Sequence, residues 1–236
     1  MKKALKILLP LSVVALIIAV DIIMDFSPPK YSPCPTGPIP GTDVVAVRDD
    51  TNALYFVVTG GGWLLIDAGS HAGQVEQVLQ GLGIHPADVR WILLTHSDSD
   101  HVAALPLFSN AEIYMGQGEL GLLNGTISRG KAGGNALPPG IDLNAIHLLS
   151  GGEQLLFGGI QVECVAMPGH TPGSMAYLID QCCLFTGDAF QYSKGNYNIH
   201  PSTMDTALSR ETFAALAERI LPGRVILTSH YGYYIP

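Results

Sequence analysis

Trp91-Ile92-Leu93-Leu94-Thr95-His96-Ser97-Asp98-Ser99-Asp100-His101 is the stretch on which the reading turns. Its first four residues are bulky and wholly apolar, the pattern of a short strand buried on both faces. The polar residues that follow put two histidines and two aspartates within six positions, on a turn leaving that strand. Imidazole and carboxylate together suit zinc, iron or manganese. The plainer reading takes Ser97, Asp98, Ser99 and Asp100 as capping residues for a helix starting near Val102.

The rest of the chain favours the metal. Met167-Pro168-Gly169-His170-Thr171-Pro172-Gly173-Ser174 follows an apolar run ending at Ala166. Phe185-Thr186-Gly187-Asp188 closes another, and Thr228-Ser229-His230 closes the last. A single His or Asp past a strand is usually a satisfied turn residue. Four loops of this kind in one chain point to a shared cleft.

Outward from these loops, Val44 to Val47 and Leu54 to Val58 read as strands. Gly60-Gly61-Gly62 reads as a turn and Trp63 to Ile66 as the returning strand of a hairpin. His71 to Leu82 reads as a helix, with Val75, Val78, Leu79 and Leu82 on one face. Ala111 to Met115, Leu155 to Phe157, Gln161 to Ala166, Met175 to Ile179 and Cys183 to Phe185 read as strands. Thr206 to Ile220 reads as a helix and Val225 to Leu227 as a final strand. Two strand sets with helices between and after them imply stacked sheets covered by helices.

With Asp67-Ala68-Gly69 after the hairpin, these pieces resemble the metallo-β-lactamase fold superfamily, glyoxalase II-like members included. The resemblance runs from about Val44 to the C-terminus. It implies an α/β (α+β) fold, a four-layer αβ/βα sandwich with the metal site at one rim of the two sheets. It implies that His96, Asp98 and His170 hold a first metal and that Asp100, His101 and His230 hold a second. Asp188 would bridge the two, and Asp67 would align ligands from behind. The cofactor expected is a pair of divalent ions, zinc first, with iron or manganese as alternatives. The implied chemistry is hydrolysis of an ester, thioester, lactone or amide by a bridging hydroxide, with Asp100 orienting it. One scaffold of this kind hosts many chemistries, so the substrate stays open.

Two departures stand out. The usual motif is H-x-H-x-D-H, and its second histidine is here Asp98. Three carboxylates and a hydroxide would neutralise two divalent ions in full, where the usual set leaves one positive charge. A neutral site is the weaker Lewis acid. A carboxylate is also harder than imidazole, which tilts selection towards iron or manganese. Asp is shorter than His, so a poorly held first metal is expected. Two readings therefore compete with a hydrolase: a non-haem iron redox enzyme and a degenerate metal-binding protein. The second departure, Ala103-Ala104 in place of two glycines, implies only a local packing adjustment.

Substrate contacts are the least defined. Phe190, Tyr192, Lys194, Tyr197 and His200 follow Asp188 and form a candidate pocket wall, with Tyr192, Lys194 and Tyr197 as candidate substrate-binding residues. Tyr231-Gly232-Tyr233-Tyr234 is a candidate rim, and the glycine-rich run from Gly116 to Gly140 a candidate lid. As histidines, His71, His85, His147 and His200 read as ordinary. Cys164, Cys182 and Cys183 read as small buried hydrophobes, with a disulfide open to Cys164 in an oxidising compartment. Asn124-Gly125-Thr126 fits a glycosylation site and, better, a turn.

The chain has 236 residues, 47% hydrophobic and 14% charged, with a net charge of −8. That excludes disorder and argues against charge-driven binding of nucleic acid. The partner expected is a small-molecule substrate; the oligomeric state is not legible. Lys2, Lys3 and Lys6 precede an apolar run from Ile7 to Met24, the pattern of a signal anchor or signal peptide over 1–25. A membrane attachment and an extracytoplasmic location follow as expectations. Prolines 28, 29, 33, 35, 38 and 40 imply a semi-rigid linker over 26–42. The catalytic domain is then expected over 43–236.

Overall fold

The computed structural model describes residues 31–130, 135–193 and 196–235. One sheet has seven strands in chain order: β1 (Gly37–Pro38), β2 (Val44–Asp49), β3 (Asn52–Thr59), β4 (Gly62–Ile66), β5 (Val89–Leu94), β6 (Glu112–Gly116) and β7 (His147–Leu149). β1 to β4 run antiparallel, and β4 to β7 are mutually parallel. The second sheet begins with β8 (Gln154–Phe157), β9 (Ile160–Ala166), β10 (Met175–Ile179) and β11 (Cys183–Gly187). A separate two-stranded hairpin, β12 (Gln191–Ser193) and β13 (Asn196–Asn198), follows. β14 (Val225–Thr228) and β15 (Tyr233–Tyr234) then complete the second sheet, in the order β15-β14-β11-β10-β9-β8.

Three apolar clusters account for four layers. Between the sheets lie Tyr55, Leu64, Leu93, Tyr177, Phe185 and Leu227, all buried. On the outer face of the first sheet, Phe56, Leu65 and Ile92 meet Val75 and Leu79 of helix α1 (Ala72–Leu82). Outside the second sheet, Leu178, Leu184 and Ile226 meet Phe213, Leu216 and Ile220 of a long C-terminal helix, numbered below. Burial on both faces explains why β5, β10, β11 and β14 read as continuous apolar runs. α1 ends at Gly83, whose left-handed φ of 70° lets its N–H bond back to the last turn. Leu82, expected on the buried face, is 40% exposed at the last residue of α1.

Buried tyrosines bolt the sheets together beneath the loops of interest. The Tyr55 hydroxyl donates to the carbonyl of Thr228 at 2.6 Å, and that of Tyr177 to the carbonyl of Leu94 at 2.6 Å. Each spans from one sheet to the end of a strand in the other. The ends of β5 and β14 are thereby held at one rim, and strand pairing brings the ends of β9 and β11 beside them. From that rim lead the short helices α2 (Ser99–Val102) and α3 (Leu120–Leu123), and later α4 (Thr206–Ile220), capped by the Asp205 side chain on the N–H of Leu208.

The expected linker over 26–42 is corrected from Tyr31 onward, and so is a domain start at 43. Gly37 and Pro38 pair with Ala46 and Val45, while Cys34 and Ile39 are buried in the core between the sheets. Pro38 is tolerated because β1 is an edge strand. The apolar residues between the prolines supply the burial that holds the segment down. The apolar run from Ile7 to Met24 lies outside the described residues. Among the described residues, no helix is long and apolar enough to cross a membrane. All four cysteines are free thiols, and Asn124 to Thr126 form a turn, with the Asn124 side chain accepting from the N–H of Thr126 at 3.0 Å.

Candidate metal centre

The centre is framed by a strained residue. Asp67, just past β4, holds a left-handed φ of 59° without being glycine. Its carboxylate accepts from the N–H of Thr95 at 2.8 Å, from the Thr95 hydroxyl at 2.9 Å and from Nδ1 of His101 at 2.9 Å. One side chain thus fixes both ends of the turn from Thr95 to His101. Gly187 lies against Thr95 with φ of 52°, where a Cβ would collide with the threonine side chain. Only glycine lets β11 bring Asp188 this close.

Side-chain donors from the four loops converge. Oδ2 of Asp98 lies 3.4 Å from Nε2 of His96 and 3.3 Å from Nε2 of His170. Oδ2 of Asp100 lies 3.6 Å from Nε2 of His101 and 3.4 Å from Nε2 of His230. Oδ2 of Asp188 lies 3.7 Å from Nε2 of His170, 3.8 Å from that of His101 and 3.2 Å from that of His230. Metal–ligand bonds near 2.0–2.1 Å in a tetrahedron give ligand–ligand edges of about 3.3–3.4 Å. The Asp98 set matches that spacing, the Asp100 set comes within 0.2 Å of it, and Asp188 lies 3.2–3.8 Å from histidines of both. Nε2 of His96, Nε2 of His101 and Oδ1 of Asp188 are buried with no hydrogen-bond partner. Buried polar atoms are rarely left so, and a shared cation would satisfy them. Asp98, the residue before α2, is shorter than histidine, yet its Oδ2 stands near both histidines of its set.

The residues behind the ligands fix their ring orientation. Nδ1 of His101 faces the Asp67 carboxylate, Nδ1 of His230 the carbonyl of Thr51 at 2.7 Å, and Nδ1 of His96 the Thr95 hydroxyl at 3.0 Å. Each oxygen draws the ring proton to Nδ1 and frees Nε2 for a metal. Burial opposes charge on His101, yet Asp100 and Asp67 push its pKa up to about 10. Burial likewise opposes charge on His230, and Asp188 and Asp100 raise it to about 11. Asp188 is buried too, but His230 holds its carboxyl well below the usual range. Without metal, the neighbouring carboxylates favour protons on His101 and His230, which metal binding would displace.

A sequence model described as the metallo-β-lactamase superfamily matches residues 47–230. The chain belongs to the metallo-β-lactamase superfamily. It is 28% identical over 213 residues to a probable metallo-hydrolase of Bacillus subtilis, YqgX, covering 86% of this chain and 90% of that one. It is 29% identical over 207 residues to the N-acyl homoserine lactonase AttM of Azorhizobium caulinodans, covering 81% and 76%. Among solved structures, a B3 metallo-β-lactamase with an active-site glutamic acid superposes with a TM-score of 0.64 at 22% identity. That superposition covers 92% of this chain and 87% of the other, and it shows the fold.

Against the superfamily motif, Asp98 has a companion that sequence reading missed. Arg129 places Nη2 3.0 Å from Oδ2 of Asp98 and 2.9 Å from the carbonyl of Ser202. Asn135 donates to Oδ1 of Asp98 at 2.9 Å. Asp98 and Arg129 together are neutral, as the imidazole usual at this position is neutral. With two divalent ions bound, that pairing would leave the positive excess of the usual ligand set and offset the loss of Lewis acidity expected from Asp98 alone. Arg129 and Asn135 lie within the glycine-rich run expected as a lid, where no local pattern marks them.

Glu119 was missed as well. It is fully buried and joins two ligand loops. Oε2 accepts from the N–H of Ser97 at 2.8 Å and from the Ser97 hydroxyl. Oε1 accepts from the Thr171 hydroxyl at 2.5 Å and from the N–H of Gly173 at 3.0 Å. Ser97 neighbours Asp98, and Thr171 neighbours His170. Gly173 packs on the backbone of Glu119, where a Cβ would overlap it.

The remaining candidates separate. His200 is corrected from ordinary to a member of the centre: it is buried, with Nε2 3.7 Å from Oδ2 of Asp188. Tyr31 also reaches the site, from a segment expected as linker, with its ring 4.7 Å from that of His230. Both line a cavity of about 390 Å³ with Asp98, Asp100, Arg129 and Asn135. Tyr197 is corrected as a cavity residue; it rests on Phe190 and Phe213 at 5.8 and 5.1 Å. The backbone of Tyr192 pairs with Tyr197 in the hairpin, and Lys194 lies outside the described residues. Tyr231 is buried beside Tyr31, while Tyr233 and Tyr234 form the exposed edge strand β15. His147 stacks on Tyr114 at 4.5 Å, and His71 binds Asp49 at 3.1 Å, both apart from the centre.

Proposed function

We propose that this metallo-hydrolase opens a small ester, thioester, lactone or amide with a pair of divalent metal ions, zinc first. The observation that carries the reading is Asp188, whose Oδ2 stands at ligand spacing from His170 of one donor set and from His101 and His230 of the other. His96, Asp98 and His170 would hold one ion and Asp100, His101 and His230 the other. When bound, such a pair supplies an acidified water as nucleophile and polarises a carbonyl. Asp100, a third exposed at the cavity floor, is the chain's own group for orienting that water. The cavity is of small-molecule size, near the lower end of ligand pockets at roughly 300–1,000 Å³, and its walls are polar.

The Arg129 counter-charge favours hydrolysis over the iron redox alternative, because it removes the electrostatic ground for that alternative. The harder ligand at Asp98 remains its ground, and iron in the purified protein is its signature. The test of the main reading is turnover of an ester, thioester and lactone panel by the zinc-loaded chain. Asp100→Ala and His170→Ala should abolish it with the fold intact by circular dichroism. Unchanged rates in both variants would refute it. The basic and apolar N-terminal pattern supports action outside the cytoplasm, and cell fractionation tests that part.

A further inference from the structure

Five imidazoles meet at the rim, and one is wired in reverse. His96, His101, His170 and His230 each turn Nδ1 to an oxygen, with the Thr203 hydroxyl serving His170 at 3.4 Å. His200 instead turns Nδ1 to the backbone N–H of Ser202 at 3.2 Å. A backbone N–H only donates, so this Nδ1 accepts, and the ring proton of neutral His200 sits on Nε2. A protonated Nε2 has no lone pair for a metal. His200 therefore enters the centre as a donor, although it stands near the spacing of a ligand to Asp188.

The partner of that donor is Tyr31. Its hydroxyl oxygen lies 3.2 Å from Nε2 of His200, and the two rings are parallel within 4°. Accepting the imidazole N–H at its oxygen leaves Tyr31 its own O–H to give elsewhere. Tyr31 packs against His230 and lines the same cavity as Asp100, Asp188 and Arg129. It is held there by the segment that leads into β1, where the N–H of Ser32 donates to the carbonyl of His230 at 2.9 Å.

We propose that the Tyr31 hydroxyl is a hydrogen-bond donor to the carbonyl oxygen of the substrate as that oxygen gains negative charge. His200 is the positioning residue that orients it. This rests on the hydrolase reading and adds the residue that receives the developing oxyanion. It also gives the segment before β1 a catalytic part, since without it the cavity loses that donor.

The test uses the full chain loaded with zinc. Tyr31→Phe keeps the ring and removes only the hydroxyl. It should lower kcat on the order of 10²-fold, the usual loss of one oxyanion donor, with KM little changed. Binding of phenylphosphonate, a tetrahedral anion, should weaken about 10- to 100-fold. His200→Gln, which keeps a side-chain N–H, should retain more kcat than His200→Ala. All three variants should bind as much zinc as the parent. Nitrogen NMR should show His200, recognised by its loss in His200→Gln, protonated at Nε2. Unchanged phosphonate binding in Tyr31→Phe would overturn the proposal. So would a lost zinc equivalent in His200→Ala, or an unprotonated Nε2. Absence of turnover in the parent would sink the hydrolase reading alone; zinc content, phosphonate binding and the nitrogen shifts judge the Tyr31–His200 pair in either case.

Discussion

Glu119→Ala should separate the two ligand loops from each other while leaving the second donor set in place. The hydroxyls that Glu119 accepts have other partners: the Thr171 hydroxyl lies 2.7 Å from that of Ser174, and the Ser97 hydroxyl 2.8 Å from the Asn135 amide. Among the described residues, the backbone N–H groups of Ser97 and Gly173 have Glu119 as their acceptor and no such substitute. Leaving a buried donor unpaired costs about 1–3 kcal/mol, so two cost about 2–6 kcal/mol before any cavity term. For a domain of this size each kcal/mol moves Tm by about 2–4 °C, and a central 4 kcal/mol becomes a fall of about 8–16 °C. Glu119→Gln offers one oxygen and can serve one loop only, so about half that loss is expected. Differential scanning calorimetry of the metal-free variants reads the stability. Zinc titration reads the site, with the ion held by Asp98 and His170 weakened and the ion held by His101 and His230 kept. A Tm within 2 °C of the parent for Glu119→Ala, with unaltered zinc binding, would refute the clamp.

Other outcomes follow from the same contacts. His101 and His230 are raised from an ordinary 6.5 to about 10 and 11 in the metal-free protein. Their stabilisation is therefore complete below pH 6.5 and lost as pH rises through 10 to 11, so the denaturant midpoint of the chelated protein should fall across that window. The same protons must leave when metal binds, and calorimetry in buffers of different ionisation enthalpy should detect their release. Asp98→His combined with Arg129→Leu restores the usual ligand type without stranding a charge; it should retain metal binding, whereas Arg129→Leu alone should impair folding or loop order by leaving Asp98 unpaired. Starting the chain at Gly41 deletes β1 and the buried Cys34 and Ile39, and should lower Tm measurably against a chain that retains Tyr31.

Most of the layer structure was legible because burial on both faces leaves an unbroken apolar run. Met175–Ile179 and Thr206–Ile220 have the bounds read from sequence, and β5 gains only Val89 and Arg90 at its start. β1, β7, β12, β13 and β15 were not read, since two- and three-residue strands carry no periodicity. The candidate metal ligands were legible because each follows such a run directly. Arg129, Glu119, His200 and Tyr31 were not read as parts of the centre, because their roles come from tertiary contact and their neighbours in sequence carry no motif. One signal was available. An extra carboxylate in a metal motif calls for a counter-charge, and the chain has only 12 lysines and arginines to supply it.

Asp98 is expected to work as a ligand in a two-ion centre. Metal content by mass spectrometry, on the full chain purified without added metal and then saturated with zinc, tests it most directly. Two ions per chain are predicted for the parent and one for Asp98→Ala. One ion or none in the parent, or two in Asp98→Ala, would contradict the account.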